Sequence, residues 1–128
     1  MNKFIKTISP DKLGYEFLRS LNGLLDLTDR ELELLSIFLD LHLRNMKTRK
    51  GKTPIDSTDN RRYIMKVTTV TKDNLCRYIK IFREKKIFVK EDGILSMSRA
   101  LTPIAIGNKT VQIIMILKIK EDELLQSN

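Results

Sequence analysis

The chain has 128 residues, with 24 Lys and Arg against 16 Asp and Glu and a net charge of +8 at neutral pH, which is long enough for one domain with a sizeable core. A single cysteine, Cys76, excludes an internal disulfide framework. No Cys/His cluster has metal-ligand spacing, no apolar run reaches the roughly eighteen residues of a membrane span, and the start MNKFIKTISPDK lacks the apolar core of a secretory signal, so a soluble, cytoplasmic chain is expected.

The first element is announced by Ser9-Pro10-Asp11, with a cap residue, a proline at the first helical position and an acid facing the positive end of the dipole. Leu13, Phe17, Leu18 and Leu21 give this helix one apolar face, and Asn22-Gly23 is expected to end it, so that it spans 9–23. The next start lies in LTDREL. Thr28 and Glu31 have the spacing of a capping box, and Leu27 and Leu32 that of a hydrophobic staple. The helix that follows is predicted to run to about Arg44. Its apolar residues Leu32, Leu34, Leu35, Ile37, Phe38, Leu39, Leu41 and Leu43 cover most of the circumference and leave a narrow stripe of Glu33, Ser36, Asp40 and Arg44. Such coverage predicts burial on more than one side, and with it a homo-oligomer or a place in a larger assembly.

Residues 45–56, NMKTRKGKTPID, lack periodicity and read as a basic loop. Near Ser57 or Thr58 another helix begins and covers about 59–67, with Tyr63, Ile64 and Val67 expected inward, and it stops at the β-branched stretch Val67-Thr68-Thr69-Val70. Thr71 then caps a helix over 72–86, with Val70 and Leu75 at staple positions. Leu75, Tyr78, Ile79 and Phe82 line one face at helical spacing, and Asp73, Arg77, Lys80 and Glu84 lie opposite. Ile87-Phe88-Val89 reads as a strand, Asp92-Gly93 as a hairpin turn and Ile94-Leu95-Ser96-Met97 as the returning strand. VQIIMILKIK, 111–120, alternates as a strand with one buried face, ahead of an acidic tail.

Charge is distributed unevenly along this order. The segment from Arg44 to Lys90 holds 15 of the 24 Lys and Arg and 4 of the 16 acids, a local balance of +11 that leaves −3 elsewhere. A field of that sign favours a polyanion, because each neutralised phosphate releases condensed counterions.

TKDNLCRYIKIFREKKIFVKEDG resembles the recognition helix and first wing strand of the winged helix-turn-helix superfamily, and LTDRELELLSIFL resembles its first helix. The resemblance covers about residues 27–120. It implies an α+β fold in a single domain, 1–128: a mainly helical winged helix-turn-helix with a C-terminal β-hairpin as the wing. The stretch DGILSMSRALTPIAIGNK is also similar to the region after the wing turn in some plasmid and phage replication initiators, although Ser98-Arg99-Ala100-Leu101 departs from their Asn-Pro.

The chemistry then points to duplex DNA. A helix fits the major groove with its N-terminal residues at base edges, and here those are Lys72, Asp73, Asn74 and Arg77. Lys80 and Arg83, farther along, suit phosphates, as do Arg61, Arg62 and Lys66 on the preceding helix, Lys47, Arg49, Lys50 and Lys52 in the loop, and Lys90 and Lys109 around the wing. The stripe of Arg77, Lys80 and Glu84 reads equally as a solvated helix face with one i,i+4 pair. Cys76 and His42 read as packed residues, not as a redox thiol or a base, and Tyr63 and Tyr78 as core anchors. There is no Gly-rich phosphate loop, metal cluster or nucleophile motif, so neither an enzyme, nor a cofactor, nor a small-molecule substrate is expected. The expected function is a DNA-binding transcription regulator or small replication initiator. The alternative is a structural or adaptor protein, for example a phage virion or assembly component, that uses the same scaffold for protein contacts through the apolar helix and an exposed Ile81 and Ile106.

Overall fold

A computed structural model describes residues 5–48, 53–101, 105–106, 110–111 and 118–120. Pro10–Lys12 forms a 3-10 turn that runs into α1, Leu13–Ser20, and a one-turn helix α2, Asn22–Leu25. The Ser9 side chain makes no capping bond. Asn22-Gly23 does not end the helical segment as expected. Asn22 instead pairs with the Leu27 backbone through both ends of its amide, and the chain turns at Asp26, whose φ of 54° is left-handed. Asp and Asn tolerate that conformation because their short side chains bond locally.

α3, Asp29–Thr48, is the longest helix. Its start is a complete capping box: the Thr28 N–H donates to Glu31 Oε1 at 2.8 Å, and the Glu31 N–H donates to Thr28 Oγ1 at 3.2 Å. Leu27 and Leu32 are both buried beside it. α3 continues one turn beyond Arg44, into the segment expected to be loop. Leu32, Leu34, Leu35, Phe38 and Leu39 are buried, and Ile37, Leu41 and Leu43 pack half-buried against the same core, so much of the apolar circumference is covered within one chain.

α4, Thr58–Val67, is capped by Ser57, whose hydroxyl accepts from the Asn60 N–H. The segment before it is fixed by three bonds. The Ile55 N–H donates to Leu95 O at 2.8 Å, Asn60 Nδ2 donates to Ile55 O at 3.0 Å, and the Ser57 N–H donates to Pro54 O. Ile55 and Asn60 are both buried. Of the three residues expected inward on α4, only Ile64 is buried. Tyr63 is 37% and Val67 51% exposed, because α4 rests on its neighbours along one narrow edge and these two lie outside it.

α5, Lys72–Glu84, begins at Thr71, whose Oγ1 accepts from the Asn74 N–H. Leu75, Ile79 and Phe82 are buried and Tyr78 and Ile81 are half-buried, so Ile81 packs against the core instead of standing exposed. The helix ends at Glu84 in a Schellman motif. Lys86 takes φ 60°, its N–H bonds Arg83 O, and the Ile87 N–H bonds Phe82 O at 2.9 Å. Lys85 Nζ reaches back to the carbonyls of Leu25 and Asp26 and ties the end of α5 to the end of α2.

β1, Phe88–Glu91, and β2, Ile94–Met97, pair antiparallel with Phe88 opposite Met97 and Glu91 opposite Ile94. Asp92 and Gly93 both have positive φ, as a two-residue primed turn requires. A 3-10 turn, Arg99–Leu101, follows, and β3, Ala105–Ile106, pairs with β4, Thr110–Val111. The architecture is α+β and mainly helical. Of the expected strand over 111–120, residue 111 lies in β4, while 118–120 have no regular structure and Ile119 is 70% exposed, so its buried face does not extend there. Residues 112–117 lie outside the described residues.

Two of the three hydroxyl caps give a direct check. Thr28→Ala and Thr71→Ala are each expected to lower stability by about 1 kcal/mol, because each leaves a backbone N–H of the first turn without its partner. Thermal unfolding of both variants measures it, and unchanged midpoints would contradict the assigned helix starts.

Candidate nucleic-acid interface

α5 carries more of the expected site residues than any other element, and its burial pattern divides its surface. At 3.6 residues per turn, Leu75, Ile79 and Phe82 form the buried edge. The outermost line is Asp73, Arg77, Lys80 and Glu84, all exposed. Two acids balance two cations there, and Lys80 stands 4.0 Å from Glu84. The Arg77 guanidinium lies 5.6 Å from the Tyr78 ring centroid, folded towards its neighbour along the helix. The apex of the helix is therefore electrically neutral.

The flank between apex and core is different. Lys72, Cys76 and Arg83 recur at spacings of four and seven and fall within roughly 40° of arc. Near Lys72 this flank opens into a recess of about 310 Å³ against α4, lined by Thr58, Arg61, Arg62, Met65, Lys72, Leu75 and Cys76. Near Arg83 it opens into a second, of about 280 Å³, lined by Pro54, Asp56, Arg83, Lys90 and the Gly93–Leu95 arm of the hairpin. Arg61 joins the two. Its Nη2 pairs with Asp56 Oδ2 at 3.4 Å, its Nη1 lies 4.0 Å from Cys76 Sγ, and its Nε is buried without a partner. Arg62, Lys72, Arg83 and Lys90 are exposed around these recesses.

The structure thus gathers Arg61, Arg62, Lys72, Arg83 and Lys90 from α4, α5 and the hairpin along one flank. Lys80 stands at its border with the apex. Lys66 is exposed one turn beyond Arg62 and lines neither recess. Asn74 is exposed on the far edge of α5, and Asp73 and Arg77 lie on the neutral apex. Lys47 is in the last turn of α3, but its side chain lies outside the described residues, as do Arg49, Lys50, Lys52 and Lys109. Cys76, which the sequence assigned to packing, is exposed in the middle of the basic flank. The 72, 76, 83 spacing was the available signal for it.

Away from this flank lie further titratable groups, on α3 and the hairpin. His42 is half-buried on α3, and burial holds its imidazole below its usual pKa against the opposing effect of Glu91. Glu91 in turn pairs with Arg99 at 3.2 Å. Burial raises the Asp40 carboxyl despite nearby Arg44. Among the described residues no cluster of three or more His, Cys, Asp or Glu could hold a metal ion, and no helix is long and apolar enough to cross a membrane.

Comparison with known proteins gives no match to a family model, a curated protein or a solved structure.

Proposed function

We propose that the chain is a double-stranded DNA-binding protein, a transcription regulator or small replication initiator, built as a winged helix-turn-helix that presents α5 to the major groove. The observation that carries this reading is the meeting of five cations from three elements along one flank of α5. A helix has the diameter to enter the major groove, and cations beside it meet the phosphates that border the groove. The bond from the Ile55 N–H to Leu95 O supports the scaffold assignment. It lays the segment before α4 against β2 and so sets the hairpin beside the start of α4.

Fluorescence anisotropy with an arbitrary duplex tests the function. The chain is expected to bind at low salt, with log K falling linearly against log salt, at about 0.9 unit of slope per phosphate neutralised. Absence of binding at low salt overturns the reading.

A second reading has its own observation. Tyr63 and Val67, one turn apart on α4, are exposed together with Met46 at the end of α3, and the Arg44 guanidinium lies 6.0 Å from the Tyr63 ring centroid. An adaptor or virion component would use such residues to dock a protein, or a second copy of this chain. Sedimentation of the wild type at micromolar concentration, compared with Tyr63→Ser and Val67→Ser, measures self-association through them.

A further inference from the structure

Resting on the DNA reading, we infer that the flank Lys72–Cys76–Arg83, and neither the apex nor the Asn74 edge, is the part of α5 that faces the duplex, with the helix spanning the groove from one backbone to the other. Two features lead there. The first is charge: the apex carries Asp73 and Glu84 beside Arg77 and Lys80, and Arg77 and Lys80 are engaged with Tyr78 and Glu84. A polyanion gains little from a neutral line and more from the flank, where Arg61, Arg62 and Lys72 surround one end and Arg83 and Lys90 the other, five cations against the single acid Asp56 that pairs with Arg61.

The second is spacing. Lys72 and Arg83 are eleven residues apart, roughly 16 Å along the axis at 1.5 Å per residue. The major groove is about 12 Å wide, a span of the same order, so the two ends of the flank stand at the two margins of one groove, where cations meet phosphates. Arg61 is positioned between them by Asp56, with its partnerless Nε beneath the surface of the flank. Cys76 is then the residue over the middle of the groove, and it is exposed. Asn74 lies roughly 160° away around the helix.

Cys76 is the chain's sole cysteine, so the wild-type protein carries its own probe. Its rate of alkylation by a fluorescent maleimide is measured at low salt with and without duplex DNA of arbitrary sequence. The comparison is the double variant Cys76→Ser, Asn74→Cys, checked for folding by circular dichroism. With duplex at about ten times Kd, alkylation of Cys76 is expected to slow by about tenfold, in step with the free fraction, while the thiol of the double variant keeps its rate. The pre-alkylated wild type is expected to lose DNA binding, a measurement that needs no variant. An unprotected Cys76 in protein that anisotropy shows to be bound overturns the orientation and leaves the DNA reading standing, and so does equal protection at both positions. A wild type that binds no duplex overturns both.

Discussion

Phe82→Ala is expected to cost about 3–5 kcal/mol, enough to unfold much of a domain of ordinary stability. Phe82 is fully buried and belongs to a cluster of three rings in edge-to-face contact. Its centroid is 6.3 Å from that of Phe38 and 5.3 Å from that of Phe88, and those two are 5.1 Å apart. Each ring comes from a different element: Phe38 from α3, Phe82 from α5 and Phe88 from β1. Removing this ring leaves a cavity between three elements whose backbones are held by other contacts, so the site cannot close over it. The edge-to-face term, about 0.5–1.5 kcal/mol for each aromatic pair, is lost as well. The backbone carbonyl of Phe82, which accepts from the Ile87 N–H, is kept in the variant, so the loss reports on the ring alone. Urea denaturation followed by circular dichroism measures the effect. A loss below about 1 kcal/mol would mean that the cluster is not the joint between the helices and the hairpin.

The second large effect is on binding and should leave stability alone. Replacing Arg62, Lys72, Arg83 and Lys90 together by alanine is expected to lower the slope of log K against log salt by about three to four units. If each of the four meets a phosphate, the expected fall is about 0.9 unit per residue. All four side chains are exposed, and surface substitutions of this kind stay within about 0.5 kcal/mol each. The thermal midpoint therefore serves as the control for folding. The same titration on Lys66→Ala and Asn74→Ala, which lie off the flank, is expected to change the slope by less than about one unit. A quadruple variant with the wild-type slope would remove the flank from the interface.

Three of the four helix starts were legible in the chain because their signals are local, whereas Ser9, read as the cap of the first, makes no capping bond. Thr28 with Glu31, Ser57 and Thr71 each bond backbone groups within three residues, and no distant contact is needed to place them. The same holds for Asp92-Gly93, where the turn needs two positive φ values and the dipeptide supplies them. Periodicity likewise assigned Leu75, Ile79 and Phe82 to the core, since one face of a single helix is a property of the sequence alone. The excess of cations between Arg44 and Lys90 was visible too, but only as a total.

What the tertiary structure decided is where those cations stand and which apolar residues are left outside. Tyr63 and Val67 have helical spacing that suits burial, yet whether a face is covered depends on how far the neighbouring helix reaches, and α4 is covered only along the edge that carries Ile64. Ile81 went the other way, half-buried because of what packs beside α5. Lys85, to which the sequence assigned no role, closes the end of α2, some sixty residues earlier in the chain. The division of α5 into a neutral apex and a basic flank depends on Arg61, Arg62 and Lys90 being brought beside Lys72 and Arg83. Cations on separate elements add to one field only when the fold sets them within a Debye length of each other, and that distance is written in the packing of α4, α5 and the hairpin, not in the order of their residues.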